Sequence, residues 1–288
     1  MRIYYWAFFL LFSISAYSFA QEDICIGKKY KVFSNLLQEK REYQVYLPNS
    51  YNKNSSDKKY PVIYLTDGES FFHSLTAVHK SFFTERASLM PECIVVGIIN
   101  TDRTRDLTPT KSAYRRDGTR EEGDKELGGG AGTFARFLIE ELRPLIDLGY
   151  KTSGENILFG HSYGGLFVLS VFFQYTDKFD TYIAIDPALW WDNAKLAKDA
   201  EYILQTKQFS NKTLYVGIAG GKRPDNRYIH FSVANVFLEE TLPKGKEKGL
   251  LYYSKVFPDE NHGTIPIPGM IDAFRQIYVT PNLRNKFK

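Results

Sequence analysis

Cysteine is nearly absent: Cys25 and Cys93 are the only two in 288 residues. A chain this long builds its own core, so its fold does not depend on a disulfide. Cys93 opens the run Ile94-Val95-Val96-Gly97-Ile98-Ile99 and reads as a small apolar core residue, with a Cys25–Cys93 bridge as the alternative. A charge excess of one sign is missing as well. The formal net charge is +4, too small a surplus to imply a nucleic-acid partner. No internal repeat and no linker interrupts the chain, and 43% hydrophobic with 24% charged residues describes one globular α/β domain. The glycine run Gly128-Gly129-Gly130-Ala131-Gly132-Thr133 lacks the Gly-Lys-Ser/Thr ending of a phosphate loop. It reads as a flexible entry to a helix capped by Thr133, and no residue pattern calls for a cofactor or a metal.

The long apolar stretch is at the start. Arg2 is followed by Ile3 to Ala20, ending Ser18-Phe19-Ala20 before Gln21-Glu22-Asp23, the pattern of a secretory signal peptide cut after Ala20. The alternative is an uncleaved membrane anchor, because the run approaches the ~20 residues a spanning helix needs. Residues 1–20 are thus expected to be a signal and 21–288 the single domain. Without its leader the protein is expected to be exported, periplasmic or secreted, with no stable membrane insertion.

Tyr30 to Leu37 and Arg41 to Leu47 flank the turn Gln38-Glu39-Lys40 and predict an antiparallel edge hairpin. Pro61 to Leu65 and Ile94 to Ile99 are apolar without alternation, as in strands buried on both faces of a parallel sheet, and 71–90 between them reads as a helix. Thr101 to Gly132 carries Arg103, Arg105, Arg115, Arg116 and Arg120 with little periodicity, and is either a lid or binding loop or a solvated insertion. Phe134, Phe137, Leu138, Leu142, Leu145 and Ile146 mark one face of the next helix. The remaining chain alternates strands (Tyr182 to Ile185, Leu214 to Ile218, Leu251 to Phe257) with helices around 194–204, 231–242 and 271–278.

At the centre, Ile157-Leu158-Phe159 runs into Gly160-His161-Ser162-Tyr163-Gly164 and then an apolar helix, Leu166 to Phe173. Strand, Gly-x-Ser-x-Gly and helix together predict a nucleophile elbow with Ser162 as nucleophile. Gly165 permits close helix approach. Serine needs a positioned base, and His262, in the loop after the last strand, is assigned that role, while His161 is expected to point away from Ser162. The acid belongs after the penultimate strand, where Asp225 is the only carboxylate of the loop 219–226. Asp192, Asp259 and Glu260 are alternatives, as is a Ser-His dyad with no close acid. An oxyanion hole is expected from the N–H of Tyr163 and from the loop at Gly68 and Glu69.

These residues resemble the putative-esterase branch of the α/β-hydrolases, which includes esterase D, periplasmic siderophore esterases, feruloyl and acetylxylan esterases and mycolyltransferases. The resemblance spans about 41–278. It rests on Leu65-Thr66-Asp67-Gly68, the Thr101-Asp102-Arg103-Thr104-Arg105-Asp106 segment, Thr108-Pro109-Thr110, Glu141-Leu142-Arg143-Pro144-Leu145-Ile146, Gly160 to Gly165, Asp186-Pro187-Ala188-Leu189-Trp190-Trp191, and His262. The Thr-Arg-Asp segment and the tryptophan pair are closer to the esterase D and siderophore-esterase side. The resemblance implies an α/β-hydrolase fold: a mostly parallel central sheet, helices on both faces and an antiparallel N-terminal edge hairpin. One departure stands out, since members commonly carry the acid directly after the penultimate strand, where this chain has Gly220-Gly221-Lys222.

The expected activity is serine ester hydrolysis through an acyl-enzyme, on a small-molecule or oligosaccharide ester. Arg103, Arg105, Lys222, Arg223 and Arg227 favour an anionic siderophore ester. Trp190 and Trp191 favour an acylated plant polysaccharide if exposed, and are plain core if not. A non-catalytic binding protein on a hydrolase scaffold is the third reading.

Overall fold

The computed structural model describes residues 23–51, 57–84, 87–120, 122–221 and 228–281. The strand-like runs join into one eight-stranded sheet: β1 (Lys28–Ser34), β2 (Glu39–Tyr46), β3 (Tyr60–Leu65), β4 (Ile94–Ile98), β5 (Thr152–His161), β6 (Thr181–Ile185), β7 (Thr213–Ala219) and β8 (Leu251–Phe257). Their spatial order is β1-β2-β4-β3-β5-β6-β7-β8. β3 to β8 are parallel, while β2 pairs antiparallel with both β1 and β4. This is the α/β-hydrolase arrangement with its antiparallel edge hairpin.

The apolar strands do not alternate because both of their faces are buried. Val62, Tyr64, Leu158, Tyr182 and Val216 point into one core, and Ile63, Leu65, Ile157, Phe159, Ile183 and Tyr215 into the other. On the second face lie α1 (Gly68–Phe82) and α7 (Pro266–Phe274), through Phe72, Leu75, Met270 and Phe274. On the first lie a helical run α3 at 131–149, α4 (Tyr163–Gln174) and α5 (Trp191–Thr206), through Phe134, Phe137, Leu166, Phe167, Ala200 and Leu204. α2 (Arg103–Leu107) and α6 (Tyr228–Val236) complete the set.

Several local expectations change. α1 starts at Gly68, three residues before the expected 71, because Asp67 is its N-cap and stands almost directly at the end of β3. In α3 the face Phe134, Phe137, Leu138, Leu142 and Ile146 is buried, but Leu145 is exposed. A π-helical turn over Phe137–Leu142 inserts extra residues per turn and rotates the next turn out of the 3.6 register. Thr133 is not the cap of this helix; Gly130 is. The glycine run is held rather than loose, since Gly129 N–H donates to Thr108 Oγ1 at 3.1 Å and Gly130 N–H to Arg105 O at 2.8 Å. The segment 101–132 is therefore a packed flap, closed by a short ribbon pairing Lys111–Ser112 with Leu127–Gly128. Cys25 and Cys93 are both free thiols, the first exposed and the second buried, so no bridge joins them. Among the described residues no helix is long and apolar enough to cross a membrane.

The parallel strands end on one edge of the sheet, and the chain leaves that edge through Asp67 after β3, Ser162 after β5, Asp186 after β6 and His262 after β8.

Candidate active site

Ser162 occupies a backbone conformation, φ 61° and ψ −118°, that only strong flanking contacts can hold. Its N–H donates to Ile185 O at 3.0 Å, and its own carbonyl accepts from Leu166 and Ala188 N–H. The glycines on either side are required by contact: a Cβ on Gly160 would lie 2.3 Å from the Gly164 main chain, and one on Gly164 would lie 2.2 Å from Thr66 Oγ1. The strand therefore turns into α4 within two residues, and the Ser162 hydroxyl is lifted above the sheet edge.

His262 approaches it from the loop after β8, with Nε2 3.0 Å from Ser162 Oγ. Its Nδ1 stands 2.5 Å from Oδ2 of Asp186, a carboxylate only 1% exposed. Asp186 takes a left-handed conformation, φ 43°, because its N–H donates to Gly217 O at 2.7 Å while its Oδ1 accepts the Ala219 N–H at 3.0 Å. The end of β7 thus turns the side chain back toward β5. The carboxylate on Nδ1 is thus one that the sequence reading did not weigh. The place on Nδ1 is taken by the residue after β6, and neither Asp192 nor the neighbours Asp259 and Glu260 fill it. Asp225, with Lys222, Arg223 and Arg227, lies outside the described residues. Asp192 sits in a left-handed turn with Asn193 and Ala194 at the start of α5. The sequence did hold a signal for Asp186, an Asp-Pro pair closing an apolar strand on the same edge, but the family rule placing the acid one strand later outweighed it.

His161, expected only to point away from Ser162, has a partner the sequence reading did not weigh: its Nε2 lies 3.0 Å from the main-chain oxygen of His262, and the two imidazoles lie tilted against each other with centroids 4.6 Å apart. Burial first, then the neighbouring His262, lowers its pKa to about 4.

The first N–H groups of a helix lack intrahelical acceptors and carry the positive end of its dipole. Two such ends converge here. α4 begins at Tyr163, and α1 begins with Gly68 and Glu69 on the adjacent strand, with Asp67 and Thr66 against Gly164. Glycine is required at position 68 by contact: a Cβ there would come 2.6 Å from the Gly97 carbonyl carbon of β4. The Glu69 carboxylate accepts from Asn100 N–H and Nδ2.

The two arginines expected at the substrate are engaged within the protein. Arg103 forms a fork on the buried Asp67, Nε to Oδ1 2.6 Å and Nη2 to Oδ2 3.0 Å, and its guanidinium lies 5.1 Å above the Tyr163 ring. Arg105 bridges Glu39 and Asp106. Trp191 is mostly core, with its indole N–H donating to Thr110 O at 2.9 Å, whereas Trp190 is half-buried and meets Tyr163 at 6.0 Å. Beside Tyr163 opens a cavity of about 390 Å³, walled by Trp190, Tyr114, Arg115, Arg116 and Lys125, among others. The Arg116 guanidinium sits 5.8 Å from the Trp190 ring centroid. His161, Asp186 and His262 bring one donor atom each within 4.8 Å of one another. Hydrogen bonds among these residues and to Ser162 already use that geometry, so the cluster is not built as a cation cage.

The arrangement is a hydroxyl, an imidazole and a buried carboxylate in series, beside two helix N-termini: the components of acyl transfer. Comparison with known proteins gives relatives named as esterases. The chain is 30% identical over 237 residues to the ferri-bacillibactin esterase BesA of Bacillus subtilis, covering 77% of this chain and 80% of the relative. It is 26% identical over 245 residues to the apo-salmochelin esterase of Escherichia coli, covering 82% and 73%. The crystal structure of an IroE-like serine hydrolase from Shewanella oneidensis superposes with a TM-score of 0.81 at 32% identity, over 88% of this chain and 80% of that one. The family model described as putative esterase matches residues 34–262, and the chain belongs to that family.

Proposed function

We propose that this member of the esterase family is an exported serine hydrolase that opens a carboxylic ester of a siderophore through an acyl-enzyme. The observation that carries the mechanism is the continuous series Ser162 Oγ, His262 Nε2, His262 Nδ1 and Asp186 Oδ2, with contacts of 3.0 and 2.5 Å. As Oγ attacks the ester carbonyl, its proton passes to Nε2, and Asp186 stabilises the imidazolium while holding the tautomer that leaves Nε2 able to accept. The carbonyl electrons move to oxygen, where the Tyr163 N–H and the N–H groups at the start of α1 are the donors on this reading. Collapse of the intermediate breaks the bond to the alcohol oxygen, which takes the proton from His262. Water, deprotonated by the same imidazole, then releases the acid and restores Ser162.

The substrate class comes from the cavity and the relatives. Aromatic faces of Trp190, Tyr163 and Tyr114 lie next to Arg116, Lys125 and an Arg115 paired with Asp124, a wall whose surplus is positive and suits planar, anionic aryl groups better than neutral sugars. Two further relatives, from Emericella nidulans and Aspergillus fumigatus, are named as siderophore esterases. Export is part of the same reading, supported by the apolar leader 1–20 with its small-residue close.

The test is hydrolysis by the 21–288 protein of a catechol-bearing trilactone, with and without iron, against methyl ferulate and acetylated xylan. Turnover of the trilactone that falls by several orders of magnitude in Ser162→Ala is expected, since loss of the nucleophile removes the whole relay. A preference for the sugar or ferulate ester would move the substrate to the carbohydrate-esterase side. Unchanged turnover in folded Ser162→Ala would end the serine mechanism.

A further inference from the structure

Among the described residues His262 has contacts on three sides, and two of them belong to the relay itself. The third does not. His161, one residue before the serine, reaches the main-chain oxygen of His262 with Nε2 at 3.0 Å. A carbonyl oxygen only accepts, so the contact is a hydrogen bond only when Nε2 carries the proton, which assigns the tautomer. The imidazole is 7% exposed. It packs edge-on against Phe71 of α1 at 5.5 Å and lies tilted by 34° against the His262 ring at 4.6 Å.

The loop that carries His262 folds largely on itself, through Asn261 O accepting from Thr264 and Ile265 N–H, and Asn261 Oδ1 accepting from Gly263 N–H. Its other described main-chain tie toward the sheet edge is Gly221 N–H to Glu260 O at 2.9 Å. The loop is thus a compact body between β8 and α7. His161 is rooted in β5, where it pairs with Ile185 of β6, so it ties that body to the same strand that sets Ser162.

We propose that His161 is a positioning residue for the base: its Nε2–H bond to the His262 carbonyl and its ring face hold the imidazole in the pose that spans Ser162 and Asp186. The proposal rests on the reading of Ser162, His262 and Asp186 as the relay. His161 meets that role best as a neutral ring, because a second cation facing His262 would oppose the imidazolium formed when the serine is deprotonated. The titratable groups around it are His262 from the loop after β8, Asp186 from the end of β6 and Asp67 from the end of β3. Its lowered pKa agrees with neutrality across the range in which an imidazole base works.

Two variants separate the hydrogen bond from the ring. His161→Phe keeps an aromatic face and removes the donor, and His161→Gln keeps a donor of similar reach. With p-nitrophenyl butyrate as the probe, His161→Phe is expected to lower kcat by roughly 10- to 100-fold, the effect of a small misplacement of a reacting group. KM should stay within about threefold, because the substrate walls are untouched. The acid limb of the kcat/KM profile should move to lower pH as the Asp186 contact loosens, and His161→Gln should recover most of the loss. A folded His161→Phe protein with unchanged kcat and acid limb would overturn the proposal, as would a His161→Gln protein no better than His161→Phe. Nitrogen NMR of the wild-type histidines gives an independent reading: His161 should be the neutral Nε2–H form and should not titrate between about pH 5.5 and 8, the window of an ordinary imidazole. Titration in that range, or an Nδ1–H form, overturns the assignment whatever the esterase activity. Failure of the serine reading has its own signature, a wild-type protein that a fluorophosphonate does not label at Ser162.

Discussion

Two buried carboxylates, Asp186 and Asp106, sit in similar isolation from water and have opposite surroundings. Asp186 faces an imidazole and the backbone N–H of Ala219 at the sheet edge. Asp106 is enclosed by guanidinium groups: Arg41 at 2.6 Å, with no side-chain exposure, and Arg105 at 2.7 Å, both of which also engage Glu39. Arg41 further lies 5.0 Å over the Phe134 ring. A guanidinium keeps its charge at every accessible pH, so the second carboxylate is locked and ties β2 to the flap at 101–132. An imidazole changes charge near neutrality, so the first can serve a proton transfer. The same residue type builds the fold in one place and a candidate relay in the other, according to whether its partner is a guanidinium or an imidazole.

The sharpest way to break this contrast is Asp186→Asn. An amide favours the wrong imidazole tautomer and cannot stabilise the imidazolium, so kcat for an activated ester should fall by up to roughly 10⁴-fold with the fold intact by circular dichroism. Asp225→Asn, measured alongside, should stay near wild type. A loss of that size in Asp225→Asn, with Asp186→Asn near wild type, would return the acid to the loop after β7 and remove Asp186 from the chemistry.

Arg41→Met tests the other side. Removing one partner of a buried ion pair typically costs about 3–5 kcal/mol, read as a lower urea midpoint, while the protein that remains folded should keep its kcat per active site. The double variant Arg41→Met with Asp106→Leu should regain part of the stability, because no charge is then left unpaired. A loss too small to measure would make the four-charge group ornamental.

The smallest expected effect concerns acid stability. The Arg105 hydrogen bond foremost, with Arg41, holds the Glu39 carboxyl below its ordinary pKa. A depressed pKa in the folded state contributes stability that is complete above the ordinary carboxylate value and is lost as pH falls through the folded one. Arg105→Gln should therefore lower Tm modestly near neutrality and flatten the decline between about pH 5 and pH 3. Because Arg105 is about a third exposed, solvent screening keeps the effect small. An identical acid slope in the variant would show that this pair contributes nothing to it.

What could be read without the fold was whatever a short stretch enforces by itself. Gly160 to Gly165 between an apolar strand and an apolar helix leaves the backbone no other compact path, so the elbow at Ser162 was legible. So was the parallel sheet, because strands buried on both faces cannot alternate. His262 was singled out by chain order, since it stands in the loop after the last strand. A charged side chain in a loop looks available to a ligand until its partners are known, and Asp67 for Arg103 and Glu39 for Arg105 lie far away in sequence, although Asp106 stands beside Arg105. Only the tertiary structure decided which carboxylate meets the histidine. Adjacency of β5, β6 and β7 and the left-handed turn at Asp186 choose it, and both depend on hydrogen bonds to Gly217 and Ala219, about thirty residues further along the chain. The same holds for His161, whose neighbour in sequence is the serine but whose partner in space is the carbonyl of His262, 101 residues later.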